Sequence, residues 1–424
     1  MMKKLLRRLA RKLGKKSYTL NRMIKKMRLK SHIRFYQKEC ITQETDEKLV
    51  LFESFFAKKY ADSPRAIYEA MLRDPAYSDF RFVWVFREAD LENKMPLVDN
   101  DRTTVVKYHT RECWKTYGRA KYWVLNSRVA AFIEPRPDQV FIQTWHGTPL
   151  KRLGFDIKHG NNVKISKEEL SGHYLENARK CDYFLSPSRF CTEVFTTAFG
   201  FDQLGMEEKL IETGYPRNDD LFRWGKDDIT NFKKELGIPL DKKVLLYAPT
   251  WRDNQHELGL GYTFDAVGHI EKLIDALPED TIILVRLHYF IANQMDLTKF
   301  AGKAYDFSDY EDINVLYAVA DVLMTDYSSV FFDYANLHRP ILFYMYDLEM
   351  YKNEMRDFYI DLEELPGPIL QTQEEVIDAI HRIDEIKAEY QEKYKAFNAR
   401  FNYLDDAESS MRVIQKCIGP GRTA

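Results

Sequence analysis

The sequence predicts an α/β protein built as two Rossmann-like domains that face each other across a cleft. Three observations lead there. From about residue 45, short apolar segments alternate with helix-patterned ones, the mark of parallel sheets covered on both faces. The alternation falls into two series separated by a polar, charged stretch near residues 222–240. The length, 424 residues, also exceeds what one hydrophobic core usually serves.

The chain opens on a basic segment, residues 1–38, that is expected to form an amphipathic helix. Leu5, Leu6, Leu9 and Leu13 recur at helical spacing among Arg7, Arg8, Lys12 and other cations, and Met23, Ile24 and Met27 continue the stripe. Such a helix would lie in the headgroup region of an anionic leaflet, leucines inward and cations outward. A solvated basic tail or an RNA-binding arm is the competing reading. Residues 1–30 hold 13 of the 63 Lys and Arg and no Asp or Glu, leaving 50 cations against 65 anions in the body. An acidic body disfavours general nucleic-acid binding, which needs a basic face.

Composition sets further bounds. A hydrophobic share of 45% with 30% charged residues describes a folded protein. The five cysteines, Cys40, Cys113, Cys181, Cys191 and Cys417, are scattered and include no C-x-x-C, which fits a reducing cytosol better than a disulfide scaffold or structural zinc site. No apolar run approaches the ~18 residues needed to span a bilayer, and no uninterrupted apolar core of a signal peptide opens the chain. The expected location is the cytoplasm.

The first domain is expected over residues 39–225. "FRFVWVF" (80–86), "KYWVLNS" (121–127), "QVFIQTW" (139–145) and "YFLSPS" (183–188) read as buried strands. The stretch 166–181 reads as a helix, with Ser166 in a good N-cap position before a pair of glutamates. The second domain, residues 226–400, repeats the pattern in "KVLLYAPTW", "TIILVRLH", "DVLMTD" and "PILFYMY". The helical pattern over 374–401 would close this domain or cross back to the first, with residues 401–424 as a tail or crossing helix.

Ligands of open α/β sheets collect beyond the carboxyl ends of the strands, and this chain repeatedly places polar residues there. "WHGTP" brings His146, Gly147 and Thr148. Gly147 allows a tight turn with close backbone approach, and His146 could take a proton from an incoming hydroxyl near neutrality. The bland alternative is a turn histidine bonded to a backbone carbonyl. "RLHYF" brings Arg286 and His288, able to bind phosphate or neutralise a leaving group; a structural Arg paired with a carboxylate competes. "YAPTWRDN" adds Thr250 and Arg252, a second cation for a diphosphate. "TDYSSVFFDYA" runs from strand to helix and carries Asp326, Ser328 and Ser329. Serines there would cap free N–H groups, and the same groups make a phosphate site. No G-x-G-x-x-G, P-loop or G-x-S-x-G occurs, and no His/Cys set marks a metal site.

Taken in order, "QTWHGTPLKRLG", "SPSRF", "ETGYPRND", "LLYAPTWRDN", "RLH" and "TDYSSVFFDYANLHRPILFY" resemble the CDP-glycerol glycerophosphotransferase family, the wall teichoic acid primases and polymerases. The likeness covers roughly residues 100–400. It implies a GT-B-like fold, peripheral attachment to the cytoplasmic face of the membrane, and transfer of glycerol phosphate from CDP-glycerol to an undecaprenyl-diphosphate-linked acceptor with release of CMP. No cofactor or metal is implied, CDP-glycerol being a co-substrate. Carried onto matching positions, the resemblance makes His146 the general base and His288 a phosphate contact or leaving-group stabiliser. It places Asp326, Tyr327, Ser328 and Ser329 at the donor diphosphate. Tyr289 stands where the family usually has proline after R-L-H, which bears on the shape of that loop.

Nothing in the residues decides glycerol against ribitol in the CDP-activated donor, primase against polymerase, or monomer against homo-oligomer. A GT-B nucleotide-sugar glycosyltransferase would need the same cleft. A degenerate, non-enzymatic binding module is the remaining alternative.

Overall fold

The computed structural model describes residues 18–157, 167–250, 266–287, 297–348 and 358–419. The leucine-bearing positions 5, 6, 9 and 13 and the cations at 7, 8 and 12, the cap position 166, and the site positions 252 and 288 lie outside the described residues.

Two parallel sheets form the molecule. The first is built from β1 (Asp46–Glu53), β2 (Arg81–Phe86), β3 (Thr103–Lys107), β4 (Ala120–Leu125), β5 (Val140–Gln143), β6 (Tyr183–Ser186) and β7 (Leu210–Glu212). Its spatial order is β3-β2-β1-β4-β5-β6-β7. The second contains β8 (Lys243–Tyr247), β9 (Thr281–Val285), β10 (Ala304–Asp306), β11 (Val322–Thr325), β12 (Ile341–Tyr344) and β13 (Ile369–Leu370), in the order β10-β9-β8-β11-β12-β13. Both orders are doubly wound. The chain runs outward from a central strand, returns, and continues on its other side, opening a crevice at the switch point. In the first sheet that crevice lies between β1 and β4, and in the second between β8 and β11.

Strands buried on both faces must be apolar throughout, and they are. All five residues of β9 are buried, as are the last five of β1, β2 and the last four of β8. In the first lobe, Phe52 stacks on Trp84 at 5.5 Å and Trp84 on Phe86 at 5.5 Å, tying β1 to β2. The five cysteines are buried and free.

The helical pattern over 374–401 is three helices, Gln373–His381, Ile383–Glu389 and Gln391–Phe401, broken where Arg382 and Tyr390 leave helical geometry. The last of these crosses to the first lobe, with the Phe401 ring edge-on to Phe190 at 4.9 Å. Helix Ser409–Cys417 follows and buries Val413, Ile414 and Cys417 in the same core as Ile67 and Met71 of helix Asp62–Arg73. The end of the chain therefore completes the core at its beginning, strapping the lobes together.

Among the described residues no helix is long and apolar enough to cross a membrane. Helix Tyr18–Glu39 presents exposed Met23 and Met27 among its lysines and arginines. It docks on the first lobe through His32, whose ring lies 4.5 Å from that of Trp114, and through the Tyr36 hydroxyl, which donates to the Glu134 carbonyl at 3.0 Å.

Candidate active site

β5 ends at Gln143, and the next three residues turn sharply. Thr144 N–H still donates to the Leu125 carbonyl at 2.7 Å, whereas Trp145 N–H turns back onto the Gln143 side chain at 3.0 Å. Trp145 holds φ at +53°, a left-handed conformation rare for a bulky residue. Its ring is locked against Phe199 at 4.9 Å and Tyr174 at 6.0 Å, so packing sustains the strain. The reversal swings His146 out of the sheet and into the interlobe cleft.

There His146 Nδ1 lies 2.9 Å from the carbonyl oxygen of Asn126. A carbonyl only accepts, so neutral His146 carries its proton on Nδ1 and leaves the lone pair on Nε2. The carbonyl bond foreseen as the bland alternative is thus present, and it prepares the ring as a base. The ring is open to solvent, yet both lobes crowd it. Lost hydration lowers its pKa below the usual 6.5, the Asn126 carbonyl and Asp62 pull it back up, and Arg217 pushes it down. The imidazole is therefore neutral at pH 7 and free to accept a proton.

Two cavities flank this ring. One, of about 410 Å³, is lined by His146, Gly147, Thr148, Thr250, Ser328 and Ser329 among others. The other, of about 420 Å³, is lined by His146, Lys58, Arg65, Arg217, Arg286 and Ser329 among others. His146 and Ser329 belong to both. The expected residues of the two lobes thus meet around one gap: Thr250 after β8 and the two serines after β11 stand at the switch point of the second sheet, opposite the base.

Gly147 makes that meeting close. A Cβ at this position would sit 2.9 Å from Ser329 Oγ, nearer than carbon and oxygen pack. Asp326 plays a supporting part: it is buried, and its Oδ1 accepts from Thr250 N–H at 2.8 Å, tying the β8 and β11 loops together. The serine cap expected here is not made. Ser329 occupies the N-cap of the five-residue helix Val330–Tyr334, but its backbone (φ −69°, ψ −4°) is already helical and its side chain makes no cap hydrogen bond. A capping side chain needs an extended backbone to reach back to the first turn; this one faces Gly147 instead.

Arg286 follows β9 and donates through Nη1 to the carbonyls of Tyr310 at 2.8 Å and Phe307 at 3.2 Å. Carbonyls rather than a carboxylate hold it, so its charge is not cancelled. Burial lowers its pKa from the usual value, and a guanidinium remains cationic even so.

Several cleft residues carried no individual signal in the sequence. Arg217, from the quoted "ETGYPRND", is buried and donates to Asp333 of the second lobe at 2.7 Å and to Asp62 at 3.3 Å. The charge pairing keeps Arg217 protonated. Lys94 and Lys59 of the first lobe reach Glu311 of the second at 2.9 and 3.7 Å, Tyr60 N–H donates to the same carboxylate at 2.6 Å, and Arg65 pairs with Asp312. These partners lie more than 100 residues apart in the chain, so no local pattern announces their pairing.

The model of the family described as CDP-glycerol:poly(glycerophosphate) glycerophosphotransferase matches residues 35–418. The chain belongs to this family. The transferase is 39% identical over 376 residues to a teichoic acid poly(glycerol phosphate) polymerase of Bacillus spizizenii, covering 88% of this chain and 93% of that one. It is 38% identical to a teichoic acid glycerol-phosphate transferase of Staphylococcus aureus, covering 87% and 92%. It spans only 48% and 50% of two longer polymerases of the first name, from Bacillus subtilis and Staphylococcus epidermidis. Among solved structures, the wall teichoic acid polymerase TagF superposes with a TM-score of 0.82 at 35% identity over 94% of this chain and 95% of TagF, and a TagF variant has been soaked with CDPG. The GT-B-like arrangement of two facing lobes and the glycerophosphotransferase class are thereby established for this chain.

Proposed function

We propose that the enzyme transfers glycerol phosphate from CDP-glycerol to a terminal hydroxyl of a lipid-linked acceptor in teichoic acid synthesis, releasing CMP. The observation that carries this reading is the unprotonated Nε2 of His146, implied by its Nδ1 bond to Asn126, in a gap shared with Arg286 and Ser329. The acceptor hydroxyl gives its proton to Nε2 as its oxygen attacks the β-phosphorus. The bond from that phosphorus to the oxygen bridging to the α-phosphate breaks, and CMP departs with that oxygen. Arg286 and the Ser328 and Ser329 hydroxyls stabilise the charge gathering on the diphosphate; the family's R-x-H motif adds His288 to the same task, and Arg252 after β8 adds a second cation. The basic N-terminal segment holds the enzyme on the anionic cytoplasmic leaflet, where such acceptors lie. Incubation of purified enzyme with CDP-glycerol, CDP-ribitol or a UDP-sugar and a lipid-disaccharide acceptor, followed by mass measurement, tests the reading. A product heavier by one or more glycerol phosphates, with CMP formed in equal amount, is expected; addition of ribitol phosphate or of a sugar instead would overturn it.

A further inference from the structure

Asn126 grips two things at once. Its carbonyl accepts from His146 Nδ1 at 2.9 Å, and its side-chain Oδ1 accepts from Phe55 N–H at 2.8 Å. Phe55, Phe56 and Ala57 form three consecutive left-handed residues, with φ of +47°, +56° and +62°. A left-handed run of non-glycine residues brings each Cβ too close to the following carbonyl oxygen and persists only where its surroundings over-determine it. Here Asn126, the Ser127 hydroxyl on Phe56 N–H at 3.0 Å and the Arg87 side chain on the Phe56 carbonyl at 2.9 Å hold it. The turn delivers Lys58 to the wall of the cavity that also contains His146.

The other cations of that wall are engaged. Arg65 pairs with Glu69 and Asp312, Lys59 with Glu311, and Arg217 with Asp62 and Asp333, while Arg286 donates to two carbonyls. Among the described residues lining this cavity, Lys58 is the cation whose side chain makes no hydrogen bond or ion pair. It is mounted on the same lobe as the base, opposite the lobe whose β8 and β11 loops face the donor.

We propose that Lys58 binds the phosphodiester of the acceptor that adjoins the hydroxyl deprotonated by His146. This rests on the transferase reading above. An acceptor ending in glycerol phosphate carries its nearest negative charge one glycerol backbone from the attacking oxygen. A free ammonium, exposed to the cleft on a turn that Asn126 ties to the base, sets that charge, and hence the hydroxyl, in register.

The test compares wild type, Lys58→Ala and Lys58→Arg with CDP-glycerol and two soluble acceptors. One is tipped with a glycerol phosphodiester, and the other carries the same group as an uncharged methyl phosphotriester. Lys58→Ala is expected to raise the KM for the diester acceptor about tenfold, with kcat and the KM for CDP-glycerol unchanged. Lys58→Arg should restore most of the loss, and the triester should not distinguish variant from wild type. An unchanged KM for the diester, or an equal loss with both acceptors, overturns the assignment. Wild-type inactivity with CDP-glycerol would instead remove the transferase reading, and the role of Lys58 with it.

Discussion

The Nδ1 of His146 and the backbone carbonyl of Asn126 stand 2.9 Å apart, and this contact orients the imidazole and assigns its tautomer. The bond comes from the main chain of Asn126, so no substitution at 126 removes it directly. What can be removed is the ring. His146→Ala should fold and bind CDP-glycerol normally and lose about 10²- to 10⁴-fold in turnover, measured as CMP release beside donor binding by calorimetry. Turnover like that of wild type would take His146 out of the mechanism.

The lowered pKa of His146 fixes the direction of a pH effect. The base form is the neutral one, so kcat/KM should be level through neutrality and fall on the acid side, with its midpoint below 6.5. In Asp62→Asn, the loss of a carboxylate that raises this pKa should move the acid limb further down. A limb that moves up would show that Asp62 does not act on His146 in this sense.

Asn126→Ala should be felt first in stability. It leaves the N–H of Phe55 without its acceptor at the start of a left-handed turn, an omission worth about 1–3 kcal/mol. Thermal unfolding should register it as a lowered Tm. Because the turn carries Lys58, the KM for the acceptor should rise more than the KM for the donor.

Gly147 and Ser329 are expected to be coupled across the cleft. In Gly147→Ala the new methyl meets Ser329 Oγ at 2.9 Å, and the hydroxyl must rotate or the lobes must part slightly. Donor KM should rise severalfold. In the double variant with Ser329→Ala the clash is gone, so the two effects should be distinctly non-additive in a mutant cycle. Simple additivity would place the two residues apart in solution.

Arg217→Ala strands Asp333 and Asp62 in a buried setting. Breaking a buried pair in this way costs about 3–5 kcal/mol, so denaturant unfolding should show a markedly lower midpoint. Retained stability would mean that the lobes are held together mainly by the apolar crossing helices.

Deletion of residues 1–30, which hold 13 cations, should abolish sedimentation with vesicles containing phosphatidylglycerol and spare turnover of a soluble acceptor. Undiminished vesicle binding would refute the anchoring role.

The strands that could be read directly were long apolar runs such as "FRFVWVF" and "TIILV", because a strand covered on both faces has to exclude polar residues. Those that could not were β1, which opens on Asp46, Glu47 and Lys48, the threonine-led β3, and β7, β10 and β13, which have three, three and two residues. Such segments are too short or too polar at one end to carry a period. Residue type favours a cap at the serine pair 328 and 329, but the backbone at Ser329 is already helical and its hydroxyl faces the cleft.

From residues alone followed the two-lobed α/β class, the family, and the gathering of His146, Gly147, Thr250, Arg286 and the serines at strand ends. Each of these depends on neighbours in the chain: local apolar pattern, turn chemistry and motif spacing. The proton position on His146, the free state of Lys58 and the pairing of Arg217 with Asp333 depend on atoms brought together from distant segments. Hydrogen-bond direction and charge compensation are properties of contacts, and a chain has no such contacts until its lobes have packed.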